Sequence, residues 1–244
     1  MKWFSDLITR EGPGVRRDAP PKHGLALLVD VIGREWWALI QLNLLCIVFS
    51  LPIVTAPAAQ VAASRICALM LDDRPVYLLR DFWDAFRHHF WRATALGALG
   101  LAAIAIGVLA TWTFLGAAKA NIMFALPMVI ALSTTVFVVL TTTYALTLLA
   151  RNGQNLVLVI RLALLGALGR PLPVLGALAI AALLWLAHII FYPASIFMPA
   201  VLNFSFGTLV VTFGVHQAAA RLLALDLSAS QIGTGARGSA QLRV

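Results

Sequence analysis

Eight polar side chains fall within stretches that otherwise hold only apolar and small residues: Gln41, Asn43, Gln60, Arg65, His188, Asn203, His216 and Gln217. Hydrocarbon offers such groups no hydrogen-bond partner, so each marks either a bond between helices or the lining of a path. Gln41, Asn43, His188, Asn203 and His216 are the candidate intramembrane sites. A lining made of Gln41, Asn43, Asn203 and His188 would suit a small neutral or sugar-like solute, and His188 or His216 would be the groups able to titrate. Interhelical bonding that fixes packing is the plainer reading of the same residues, and the preferred one. No Asp or Glu lies in these stretches, so the carboxylate that usually couples a carrier to protons or sodium is missing.

Other chemistry is weakly supported. His88 and His89 are adjacent, and on a helix neighbours point about 100° apart, which suits no shared metal ion. Asp72, Asp73, Asp81 and Asp84 alternate with Arg74, Arg80 and Arg87, the pattern of a solvated, locally paired surface rather than of an acid–base pair. Gly12, Pro13 and Gly14 lack the Lys-Ser or Lys-Thr of a phosphate-cradling loop and read as a turn, one whose charged surroundings would suit headgroups or a partner. Cys46 and Cys67 sit in apolar segments as packing residues. With no nucleophile placed beside a base, the chain reads as non-enzymatic, without cofactor or metal.

The elements that must position these residues follow from composition. Of 244 residues, 61% are apolar and only 11% charged, and mean hydropathy is +0.91, which belongs to a protein whose solvent is lipid. The net charge of +8 would suggest nucleic acid as partner for a soluble chain; here topology explains it and no nucleic acid is expected. No ionised residue occurs from Trp36 to Ser64, Ala93 to Ala118, Ala120 to Ala150 or Pro171 to Ala220. A bilayer core of about 30 Å takes about 20 helical residues. The second and third windows therefore hold one span each, and the fourth holds two, broken at Tyr192-Pro193. Trp36 to Ile53 forms the first span, and Thr55 to Leu71 either returns through the membrane or does not.

Charge placement favours return. All basic residues then lie on the cytoplasmic side except Lys119, outside, and Arg65, within a span. The expected fold is an all-α, polytopic membrane bundle of six spans, five being the alternative, with both ends in the cytoplasm. Residues 1–23 form a cytoplasmic segment without the apolar core of a signal peptide, 24–225 the helical membrane domain, and 226–244 a flexible tail. Segments ahead of the first, third and fifth spans read as interfacial elbow helices. In the clearest, Leu79, Phe82, Trp83, Phe86 and Phe90 recur at helical spacing opposite Arg80, Asp81, Asp84, Arg87 and His88. Leu164, Leu168 and Arg170 sit 78 residues after Phe86, Phe90 and Arg92, while Leu28, Ile32 and Arg34 sit 58 before them, so an elbow followed by a hairpin would be used three times. The partner or interface candidates are Gly12, Pro13, Gly14, Phe82, Trp83, Phe86, Arg87 and Phe90, the aromatics anchoring the elbow in lipid or in a partner's groove.

Gly12-Pro13-Gly14-Val15, Asn43-Leu44-Leu45, the run Leu51-Pro52-Ile53-Val54-Thr55-Ala56-Pro57-Ala58 and Asp81-Phe82-Trp83 with Phe86 together resemble the YesL family of small bacterial membrane proteins. The resemblance covers residues 4 to 95 well and the remainder through its pattern of spans. It implies a helical protein of the bacterial inner membrane that accompanies carbohydrate importers of the ABC type, with permease subunits as partners, and it implies no reaction mechanism.

Overall fold

A computed structural model of the protein describes residues 24–152 and 155–218, and every regular element among them is helical. In chain order these are α1 Leu25–Ser50, α2 Ala56–Leu71, α3 Leu78–Ala120, α4 Ala125–Asn152, α5 Leu156–Gly169 and α6 Pro171–Ile190, then α7 over 204–218. Short 3-10 turns, Ile53–Thr55 and Ile122–Phe124, lead into α2 and α4, and a π-helical turn, Pro199–Asn203, leads into α7. Gly12, Pro13 and Gly14 lie outside the described residues, as does the C-terminal tail.

The chain is a polytopic helical membrane bundle. The segments Leu25–Ser50, Ile53–Leu71, Leu78–Ala120, Ile122–Arg151 and Pro171–Ile190 are each long and apolar enough to cross a bilayer. The sixth expected span corresponds to α7, whose described part, 204–218, is shorter than the roughly 20 residues a crossing takes. Leu99, Ile106, Leu109 and Trp112 of α3 and Leu172, Leu183 and Ile189 of α6 point outward, an arrangement that only lipid satisfies on this scale.

The segment whose return was open, Thr55 to Leu71, is the innermost helix. Ala58, Val61, Ala62, Ala63, Ile66 and Cys67 are fully enclosed. Its hydropathy is modest because it faces protein rather than lipid, and its alanines let neighbours approach closely. A Schellman motif ends it: Arg74 N–H donates to Leu69 O at 3.0 Å and Asp73 N–H to Met70 O at 3.4 Å. Asp73 takes the left-handed position of that motif, φ 51°, where glycine is usual, and Pro75 follows.

The three elbows differ. In α1 the helix is broken only at Glu35 (φ −106°, ψ 17°), so 25–34 turns into the span through a kink. Between α5 and α6 the break at Arg170 (φ −142°, ψ 59°) is complete, as Gly169 and Pro171 on either side require. The middle elbow is not separate: α3 runs unbroken through 78–120, since nothing between His88 and Ala95 interrupts a helix. Packing also staggers the hairpins. A Cβ at Gly97 would collide with Pro57 of α2, while Gly100 and Gly107 receive Thr142 and Thr135 of α4. Because α3 continues from Gly97 to Ala120, the α3–α4 turn lies about 35 Å beyond the α1–α2 turn.

Candidate functional site

At the charged end of the bundle two neighbouring carboxylates, held by the turn after α2, reach in different directions. Asp73 Oδ1 accepts from Arg34 Nη2 of α1 at 2.8 Å. Arg34 also lies 3.2 Å from Glu35 and 3.5 Å from Asp30. Asp72 Oδ2 accepts from Arg151 Nη2 of α4 at 3.3 Å, and Arg151 Nη1 donates to His216 Nδ1 of α7 at 2.7 Å. His216 Nδ1 stands 3.6 Å from Asp72 Oδ1. One turn thus ties α1, α2, α4 and α7. The sequence reading paired these aspartates with nearby arginines; for Asp72 and Asp73 the partners come from other helices, while Asp81 does pair with Arg80 at 3.3 Å.

Farther along, Asn43 is fully buried and serves as a staple. Its Nδ2 donates to Pro199 O at 2.8 Å, and its Oδ1 accepts the N–H groups of Phe204 and Ser205 at 2.9 and 3.0 Å. Those backbone groups belong to the break ahead of α7, where a π-helical turn meets an α-helix and the regular ladder is interrupted. Gln60 Nε2 lies 3.0 Å from Thr208 Oγ1. His188 binds the turn that follows its own helix: Nδ1 lies 2.9 Å from Ser195 O, and Ser195 Oγ donates to His188 O at 2.8 Å. Gln41 is half-buried. Asn43 thus bonds the junction in which Asn203 stands, whereas His188 and His216 make their hydrogen bonds in two other networks.

The aromatic group of α3 folds inward in part. Phe49, from the last turn of α1, packs on Phe86 at 5.0 Å, on Phe82 at 5.3 Å and on Trp83 at 5.7 Å. Phe86 and Phe90 meet at 5.5 Å. Phe82 and Phe86 are buried in the chain's own core, so they anchor α3 to α1 and are closed to a partner. Trp83, 43% exposed, and Trp91, 80% exposed, face outward, with the Arg87 guanidinium 5.8 Å from the Trp83 ring. Phe49 and Trp91 were missed by sequence reading; Trp91 follows Trp83 by eight residues on the same helical face and could have been found.

Over residues 39–114 the chain is similar to a family described as "Protein of unknown function, DUF624". No curated protein matches it, and no solved structure does.

Proposed function

We propose that this chain is a non-catalytic accessory subunit of a bacterial carbohydrate importer of the ABC type. In this reading it lies in the inner membrane with both ends in the cytoplasm and docks on a permease subunit through the first third of α3. The observation that carries the docking surface is the face of Trp83, Arg87 and Trp91, which stays exposed while Phe82 and Phe86 fix the same helix against Phe49. Exposed tryptophan and arginine held on a rigid helix lose little conformational freedom on binding, which is why such residues dominate interfaces. The importer context rests on the resemblance to the YesL family and on the matched stretch of residues 39–114.

Co-purification tests the reading. The tagged protein, extracted in mild detergent, is expected to bring importer permeases with it, and Trp91→Ala combined with Arg87→Glu is expected to lower their recovery at least fivefold. A clean monomer across several detergents and added sugars would overturn it.

A further inference from the structure

Polar groups recur along both α2 and α7. Gln60 meets Thr208 at 3.0 Å, and toward the charged end Asp72 meets His216 at 3.6 Å. Numbers rise together in both helices, so the two run parallel. Ser64 lies four residues beyond Gln60 and Thr212 four beyond Thr208; residues so spaced share a helix face, so each hydroxyl stands one turn on from the Gln60–Thr208 contact, toward the charged end. The opposite side of α7 is accounted for separately: Gly207 faces Ala181 of α6, and Gly214 faces Pro173 and Ala177.

Ser64 and Thr212 are each 1% exposed, and neither hydroxyl is bonded to any described group. Thr111, Thr113, Thr135, Thr143 and Thr208 all return their hydroxyls to the carbonyl four residues earlier. Thr212 does not, although Thr208 O stands in the same relation to it. Buried polar groups in native proteins are seldom left dry, and ordered water is the usual partner where protein supplies none.

We propose that the seam between α2 and α7 is a water-binding site. Ser64 and Thr212 are its hydrogen-bonding groups, the Gln60–Thr208 pair bounds it on one side, and Asp72, Arg151 and His216 close its charged end. The ligand class is water and uncharged hydrogen-bonding molecules of similar size, because the stripe between Gln60 and Asp72 presents hydroxyls and no carboxylate.

The test uses the full chain in membranes, with Cys46→Ala and Cys67→Ala as background and a small methanethiosulfonate reagent as probe. Ser64→Cys and Thr212→Cys are expected to react at least tenfold faster than Ala62→Cys, which is equally enclosed in α2 but lies on its other side. Equal rates would overturn the proposal. Adding Arg151→Gln is expected to speed Ser64→Cys several-fold; an unchanged rate would remove the triad as the closure. A measurement on the unmodified protein guards against misfolded variants. Radiolytic hydroxyl-radical footprinting is expected to oxidise Cys67, seven residues from Gln60 and on its face, more than Cys46, although Cys67 is 0% and Cys46 4% exposed. Protection of Cys67 to the level of Cys46 would count decisively against a hydrated seam.

Discussion

Single side chains decide where this bundle spends its polar groups. Asn43 satisfies three backbone groups at the break before α7, so Asn43→Leu leaves them unpaired in a buried place. The expected loss is about 1–3 kcal/mol, read as a lower unfolding temperature in detergent, whereas Gln41→Leu on the same helix should change little. A drop of equal size for both would show that the amide matters by general polarity and not by its bonds. At the charged end, Arg34 faces Asp30, Glu35 and Asp73 together. Asp73→Gly removes one ion pair but relieves a left-handed backbone that disfavours a side chain, so the two effects nearly cancel, each being about 1 kcal/mol or less. Arg34→Leu has no such compensation and leaves its carboxylates crowded. It should unfold at a clearly lower temperature than Asp73→Gly, and the reverse order would mean that the turn's strain outweighs the network.

Helices in lipid gain little from burying apolar surface against one another, so close approach must come from small residues. Gly97, Gly100 and Gly107 carry that role in α3, because a methyl group at any of them would run into Pro57, Thr142 or Thr135. Gly116 and Gly176 face open space. Alanine at Gly97 or Gly100 should therefore separate α3 from its neighbours and cost about 1–3 kcal/mol. Alanine at Gly116 or Gly176 should instead stabilise by up to about 1 kcal/mol through helix propensity. Thermal unfolding of the four variants checks the contrast, and uniform behaviour would refute the close-packed reading. Much of this was legible beforehand. Charge-free windows marked the long apolar helices, and proline marked the break at Pro193. What escaped was set by partners distant in sequence: Asp73 with Arg34, Asp72 with Arg151, and Phe49 under Phe82 and Phe86. The inner position of α2 was also hidden, since enclosure by protein lets a helix carry Gln60, Ser64 and Arg65, which lowers the very hydropathy used to find spans. Continuity of α3 escaped for a different reason, because an amphipathic stretch followed by an apolar one looks the same whether or not the helix bends between them.

For the whole molecule the unresolved tension is one of depth. Helix α3 has 43 residues, about 65 Å, more than twice a hydrocarbon core. Its outward residues change character along the way: Arg80, Asp84, Arg87, His88 and Arg92 are exposed on the first third, Leu99, Leu101, Ile106, Leu109 and Trp112 on the remainder. Ionised side chains are expensive in lipid and apolar ones are not, so the bilayer should take up α3 between Arg92 and Lys119. Yet Pro57, at the tip of the α1–α2 hairpin, lies level with Gly97, only about 8 Å along α3 from Arg92. The hairpin α1–α2 therefore stands beside the charged third of α3, with Trp36 and Trp37, both exposed, near the same end as Arg34, where aromatic residues favour the interface. Single cysteines labelled by a membrane-impermeant reagent distinguish the depths. His88→Cys and Lys119→Cys should react from opposite sides, Leu101→Cys and Leu109→Cys from neither, and Val54→Cys should not share the side of Lys119. Labelling of Val54→Cys together with Lys119→Cys would show that α1 and α2 cross completely and that α3 must tilt strongly to accommodate them. Ready labelling of Leu101→Cys would break the assignment of α3 itself, because lipid would then begin well beyond the last arginine.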